Sequence, residues 1–305
     1  MKKRRAYVQE LTNSDQNVPL KMALPAFGLS KSSFFYQGKP KHTKRSCKPL
    51  DPALSKALLG LTKYELTLGY DKVTDYLKTN VDLHFNPKKV YRHMKQLRLL
   101  QPKVVKRPKK KPKKGAIPFC SAIRSNVRWE ADLTIIVFGN EHLYLFSIID
   151  TFDKELIGHW LGFRCRCDEA INALEQAVLA RFPDGKVSDD LELVLRLDRG
   201  CQFTAHDFGQ KTREFNIRME FCDVMAPNQK PYIESFFANF KREEVYRSEY
   251  KNALDIFVAW KNYVTWYNTK RPHSSLGNLS PVQFRQKHQK TLSSFSSNLV
   301  QIHGG

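Results

Sequence analysis

Between Val127 and Phe163 three apolar, β-branched runs follow one another: VRWEADLTIIV, HLYLFSIID and LIGHWLGF. Only the short segments FGNE and TFDKE separate them. Links this short join neighbouring antiparallel strands, so the stretch predicts a three-stranded meander. Asp168 is then expected to cap a helix over EAINALEQAVLARF, whose apolar residues Ala170, Ile171, Leu174, Ala177 and Val178 recur at helical spacing. PDGK breaks that helix, and LELVLRL predicts a fourth strand ending at Asp198. TAHDFGQKTREF predicts a second helix, IRMEF a fifth strand and VMAPNQ a loop. Pro231 suits the first turn of a third helix running through Phe240 to about Tyr246. The order β-β-β-α-β-α-β-α describes an α/β fold of the α+β type, a mixed sheet covered by helices. Beyond it, ALDIFVAWKNYVTWYN predicts an aromatic-rich helix, and Ser280-Pro281 opens a short terminal one.

The segments before the strands are helical and basic. Residues 1–50 form a basic N-terminal region, polar and poorly ordered over 1–17, with a short helix-turn-helix-like pair over PLKMALPAF and KSSFFYQ joined at Gly28. Residues 51–101 are expected to form a helical DNA-binding domain. Asp51-Pro52 and Asn86-Pro87 each pair a cap with proline at the first helical position. The last helix of that domain carries Lys88, Lys89, Arg92, His93, Lys95 and Arg98 around Val90, Met94 and Leu97. A basic helix closing such a unit suits contact with phosphates or base edges, although a merely solvated face has the same composition. Residues 102–118 are a basic Pro/Lys linker including Lys109, Lys110 and Lys111, where proline prevents a helix and like charges extend the chain. The strand-bearing core is placed at 119–250 and a helical extension at 251–305.

Charge narrows the partner. With 51 Lys and Arg against 30 Asp and Glu, the formal net charge is +21, and a polyanion such as DNA or RNA offsets that much self-repulsion. The six cysteines make no CxxC pair or zinc-finger spacing. Cys165 and Cys167, expected to alternate along a strand, suit buried thiols in a reducing compartment. No apolar run approaches the roughly 20 residues of a membrane span. A cytoplasmic, nucleoid-associated protein with no membrane partner is the expectation.

Against this basic background three acids stand out. Asp132 lies inside the first strand on the face of Thr134 and Ile136, where an unpartnered carboxylate is costly. Asp198 follows the fourth strand, and Glu234 lies 35 intervening residues later, at the border of the stripe Ile233, Phe237 and Phe240. Lys241 falls seven positions on, along the same helical face. Three carboxylates from three elements can share two Mg²⁺ ions, hard cations that prefer oxygen ligands, and such a pair acts on a phosphodiester. Singly, each acid is more often a cap, a turn residue or a surface charge.

The set resembles a known motif. Asp132-Leu133-Thr134, Asp198-Arg199-Gly200-Cys201-Gln202-Phe203 and Glu234-Ser235-Phe236-Phe237 followed by Lys241-Arg242-Glu243 resemble the DDE motif of retroviral-integrase-type transposases. Tyr267-Asn268-Thr269-Lys270-Arg271-Pro272-His273-Ser274-Ser275-Leu276 is similar to the signature that follows the catalytic core in insertion-sequence-three transposases, and the helical unit over 51–100 resembles the DNA-binding segment ahead of it. The resemblance implies a ribonuclease-H-like integrase core and Mg²⁺-dependent DNA cleavage and strand transfer at double-stranded transposon ends, with Mn²⁺ as a substitute. In it Asp132, Asp198 and Glu234 are the catalytic metal ligands. Lys241, Arg242, Arg271 and His273 join the basic residues above as DNA contacts. It further implies a homo-oligomer on inverted-repeat ends and target DNA, and a second-frame product that works with, or fused to, an upstream frame.

Two positions depart from the family pattern. Family members often have His-Ser before the second aspartate, where this chain has Arg196-Leu197. They often have Asp-Asn-Ala ahead of the glutamate, where it has Gln229-Lys230-Pro231. Two other readings stay open at the level of sequence: a non-catalytic DNA-binding regulator that retains the integrase fold, and a ribonuclease-H-like nuclease without strand transfer.

Overall fold

The computed structural model of the protein describes residues 2–13, 18–36, 49–102, 122–223 and 229–290. The chain divides into two units, Met1–Pro49 and Leu50–Gly305.

In the first unit α1 spans Lys2–Asn13, α2 Leu20–Ala26 and α3 Lys31–Phe35. The polar start of the chain is helical where its composition predicts disorder. The reason is local: Val8 is fully buried and packs with Ala23, Leu24 and Leu29. Gly28 takes a left-handed φ of 62° at the turn, and Ser30 caps α3, its hydroxyl accepting the Ser33 N–H at 3.1 Å.

The second unit opens with three helices, α4 (Pro52–Leu59), α5 (Tyr70–Asn80) and α6 (Pro87–Gln96). Asp51 caps α4 by accepting the Leu54 N–H at 3.2 Å, and Asn86 caps α6 by accepting the Lys88 N–H at 2.9 Å. His93 is buried, not basic surface. Its Nε2 accepts the Asp51 N–H at 2.7 Å while Nδ1 donates to the Lys89 carbonyl at 2.9 Å, which ties α6 to the start of α4.

Five strands form one sheet: β1 (Arg128–Phe138), β2 (Glu141–Asp150), β3 (Leu156–Gly162), β4 (Leu193–Leu197) and β5 (Ile217–Phe221), in the order β3-β2-β1-β4-β5. β1 to β3 are the antiparallel meander. β4 pairs parallel with β1 from Arg128↔Val194 to Glu130↔Arg196, and β5 pairs parallel with β4. In this mixed α/β sheet helices link the parallel strands. α7 (Cys167–Arg181) links β3 to β4. α8 (Cys201–Thr204) and α9 (His206–Glu214) link β4 to β5, and α10 (Pro231–Glu243) and α11 (Ala253–Thr269) follow. A helical run over 281–290 is the last described segment.

Local differences from the sequence expectations have simple causes. α7 starts at Cys167 with Arg166 at its cap position, because Glu169 reaches back to accept the Arg166 N–H at 2.9 Å; Asp168 lies in the first turn. β3 ends at Gly162, so neither Cys165 nor Cys167 is in a strand. α10 stops at Glu243 and gives way to a 3-10 turn over Val245–Arg247.

The sheet separates two cores. On one face Trp129, Ala131 and Leu195 pack with Ala170, Leu174 and Val178 of α7 and Phe208 of α9. A Cβ on Gly158 of β3 would run into the Ala173 carbonyl and lie 2.7 Å from the Ala177 Cβ, so α7 sits directly on this strand because residue 158 is glycine. On the other face Ile136, Leu143 and Leu145 meet Phe236 and Phe240 of α10 and Trp260 and Tyr263 of α11. Leu54, Leu58, Val73, Leu77, Val90 and Met94 of α4 to α6 belong to that same core. Among the described residues no helix is long and apolar enough to cross a membrane.

Candidate catalytic site

Glu130, Asp132, Thr134 and Ile136 share the β1 face that looks toward α10, since alternate residues of a strand point the same way. Three elements therefore bring the predicted acids together: β1 carries Asp132, the end of β4 carries Asp198, and the first turn of α10 carries Glu234. Asp132 is mostly buried. Its Oδ1 accepts the Leu133 N–H at 2.9 Å and lies 3.1 Å from Lys230 Nζ. Asp198 is about half exposed. Its Oδ1 accepts the Gly200 N–H at 3.0 Å, an Asx turn that fixes the carboxylate, and its Oδ2 lies 3.5 Å from the same Lys230 nitrogen. A Cβ on Gly200 would lie 3.0 Å from that Oδ1 and 2.8 Å from Gln202 Nε2, so a side chain here would displace the Gln202 amide and crowd the Asp198 carboxylate. One ammonium thus sits between two aspartates that come from neighbouring parallel strands.

The electrostatics follow from this crowding. Burial raises the Asp132 carboxyl above the usual range; Lys230 opposes the rise and the charge of Asp198 adds to it. Burial also raises Glu234, with the negative charge of Asp132 reinforcing and Lys230 opposing. The three acids therefore share one field. Among the described residues, no three His, Cys, Asp or Glu side chains are grouped tightly enough to hold a metal ion as they stand.

Supporting residues that the sequence does not single out complete the site. Glu130, fully buried, turns one carboxylate oxygen to the N–H groups of Tyr232 and Ile233 at 3.0 and 2.9 Å. It closes the start of α10 from the sheet, where the helix dipole favours negative charge, and so sets the height of Glu234. Burial pushes its carboxyl up to about 7, against those two N–H groups, Arg196 and Lys154. Arg196, buried in β4, donates from Nε to Glu220 at 3.1 Å and from Nη1 to the Gln229 carbonyl at 2.9 Å. Gln229 pairs in turn with Asp223, accepting its N–H at 2.7 Å and donating to its carboxylate at 2.8 Å. The two departures from the family pattern, at 196–197 and at 229–231, are therefore in contact. The signal for Glu130 was its parity with Asp132; for Arg196 it was a charged residue inside an otherwise apolar strand.

The other predicted contact residues scatter. Lys88 is exposed on α6, Lys89 pairs with Asp51 at 2.6 Å, and Arg92 is half-buried beside them. On α10 Lys241 is half-buried and Arg242 is exposed, reaching Asn239 and Glu243. Arg271 is buried and meets Glu243 through two bonds of 2.8 Å, and His273 is buried against the Tyr267 ring, so both are built into the packing. Lys109, Lys110 and Lys111 lie outside the described residues. A cleft of about 300 Å³ near α10 is lined by Lys72, Arg242, Arg247 and Arg271.

Comparison with known proteins finds integrase cores and insertion-sequence proteins. The integrase core domain family matches residues 122–227, and a second family also described as an integrase core domain matches residues 216–281. A 39.2 kDa uncharacterized protein of insertion element IS476 from Xanthomonas euvesicatoria is 27% identical over 268 residues, 86% of this chain and 71% of that one. The transposase InsF of insertion sequence IS3A from Escherichia coli K12 is 27% identical over 164 residues, 53% of this chain and 55% of that one. This chain therefore aligns with little more than half of InsF. Among solved structures, the catalytic core domain of HTLV-2 integrase in complex with magnesium covers 53% of this chain and 98% of its own, at 15% identity and a TM-score of 0.41. The protein carries an integrase core. Within that class it is similar to proteins of bacterial insertion sequences, IS476 and IS3A among them.

Proposed function

We propose that the chain acts as a DNA transposase, with Asp132, Asp198 and Glu234 as its catalytic acids and metal ligands. The observation that carries this is the convergence of Asp132 and Asp198 on a single cationic nitrogen, with Glu234 in the same field. The donors are all carboxylate oxygens, which suits a hard divalent cation, and the Lys230 ammonium marks where positive charge is stabilised. Two Mg²⁺ ions, or Mn²⁺ in their place, would supply Lewis-acid chemistry at a phosphodiester.

The chain's own residues do the positioning. Leu133 N–H holds Asp132, Gly200 N–H holds Asp198, and Glu130 seats the first turn of α10 beneath Glu234. The basic residues Lys88, Lys89, Arg92, Lys241 and Arg242, with Lys109, Lys110 and Lys111 outside the described residues, are the contacts for double-stranded DNA in this reading, and the net charge of +21 draws it in. Lys72 and Arg247 line a cleft near α10 and would add to those contacts. In this function the substrates are insertion-sequence ends and target DNA, bound by a homo-oligomer together with the upstream-frame product.

The test uses labelled insertion-sequence-end DNA with Mg²⁺ or Mn²⁺. Asp198→Asn is expected to lose at least about a thousandfold in cleavage and joining while still binding the DNA, the scale seen when a reacting charge loses its stabilising partner. A wild-type protein that joins no ends, with the upstream frame supplied, would overturn the catalytic assignment. Lys230 lying between the acids is the observation that favours a non-catalytic DNA-binding regulator. That function predicts salt-sensitive binding, with Asp132→Asn, Asp198→Asn and Glu234→Gln all indistinguishable from wild type.

A further inference from the structure

The geometry points to Lys230 as an internal cation that holds the place of the metal: it bridges Asp132 and Asp198 in the metal-free protein and must withdraw for a divalent ion to bind. The inference rests on the metal-site assignment proposed above, and it adds an exchange step to that site.

Three contacts fix the ammonium, at 3.1 Å from Asp132 Oδ1, 3.5 Å from Asp198 Oδ2 and 3.3 Å from the Ala131 carbonyl. Its side chain is only 8% exposed. Two carboxylates brought together, one of them mostly buried, repel each other, and one positive charge between them relieves the repulsion. A divalent ion would draw the same oxygens to about 2.0–2.1 Å, and the ammonium cannot occupy that space with it. Geometry and like charge make the two cations mutually exclusive.

The backbone around Lys230 is anchored independently of its side-chain contacts. Arg196 holds the Gln229 carbonyl at 2.9 Å, Gln229 is paired with Asp223, and the Lys230 carbonyl accepts the Glu234 N–H at 3.2 Å. Withdrawal therefore needs only rotations along the lysine's flexible four-carbon stem, and α10 stays where Glu130 seats it. The backbone that carries the acids keeps its place while their side chains close on the ion. Metal affinity at this site is then the difference between gaining the ion and losing the ammonium.

The experiment titrates Mn²⁺ into the full-length protein by calorimetry and follows thermal melting with and without the ion. Lys230→Met is expected to bind Mn²⁺ about tenfold more tightly than wild type, the scale of one removed ion pair in a mostly buried site. It is also expected to melt lower than wild type without metal and to gain more on adding it. Lys230→Arg, which keeps the charge, should bind Mn²⁺ as weakly as wild type. Should the methionine variant fail to fold, Lys230→Gln carries the same expectation. Asp198→Asn serves as the control that removes Mn²⁺ binding in either background. Equal or weaker Mn²⁺ binding by the uncharged variants overturns the placeholder role and leaves the three acids standing as a metal site. Absence of Mn²⁺ binding in wild type and variants alike overturns both.

Discussion

α10 carries an ion cluster at each end, and the two are built differently. At its C-terminal end Glu243 meets Arg271 through two bonds of 2.8 Å and accepts the Tyr263 hydroxyl at 3.1 Å, and both charged side chains are almost wholly buried. Burial alone would raise the Glu243 carboxyl, but Arg271 outweighs it and holds that group below the usual range. At its N-terminal end one nitrogen serves two aspartates at 3.1 and 3.5 Å, and one of the two carboxylates is half open to solvent. In the first cluster one buried carboxylate is fully satisfied, by Arg271 at 2.8 Å and the more exposed Arg242 at 2.6 Å. The second has one more negative charge than positive and long contacts. A buried, fully satisfied carboxylate resists change, whereas an under-compensated pair partly open to solvent is ready to exchange its partner.

The largest effect should come from breaking the buried end. Arg271→Met leaves the buried Glu243 with only the exposed Arg242 as an ionic partner, and we expect a loss of about 3–5 kcal/mol in chemical denaturation, unaffected by Mn²⁺. A loss under about 1 kcal/mol would erase the contrast between the two ends. His159 offers a mostly shielded ionisable group with no ionic partner among the described residues. Burial pushes its imidazole down to about 4, and its Nδ1 accepts the Trp260 N–H at 3.2 Å. Because the folded value is depressed below the ordinary 6.5, its contribution is present above pH 6.5 and lost as pH falls toward 4. Wild type should therefore lose up to about 3 kcal/mol more than His159→Gln between pH 7 and pH 4. Parallel acid titration curves for the two proteins would refute this.

Smaller effects sharpen the other end. Without metal, Asp198→Asn leaves Lys230 with one carboxylate, a balanced pair, so its stability should stay within about 1 kcal/mol of wild type while catalysis disappears. A large destabilisation would mean that Asp198 is structural. The smallest change is expected at the surface pair Lys89–Asp51, each side chain about one-third exposed. There Lys89→Met should shift stability by less than about 1 kcal/mol, less still in high salt.

Strands and acids were legible in the sequence because each depends on its own neighbours. The meander follows from apolar runs with turns too short for anything else, and IRMEF coincides with β5 at Ile217–Phe221. Asp132 and Glu234 declared themselves through strand parity and helix position. What stayed hidden depends on contacts across the chain. Glu130 gains its role only when β1 faces the start of α10, 102 residues later. Arg196 and Gln229 meet only after β4 and β5 pair. Lys230 reads as one more lysine in a chain of 51 Lys and Arg until the sheet sets two aspartates around it. α1 was missed for a related reason, since Val8 is apolar in isolation and a core residue only beside Leu24.

The pairing of Gln229 with Asp223 has a consequence for how the chain can vary. The Gln229 amide accepts the Asp223 N–H at 2.7 Å and donates to the Asp223 carboxylate at 2.8 Å. Two bonds between the same two residues fix the end of β5 to the start of α10, because the cost of closing the chain between them grows only slowly with its length. A change in the number of residues between Asp223 and Gln229 is therefore expected to leave the first turn of α10, and the spacing of the acids, in place.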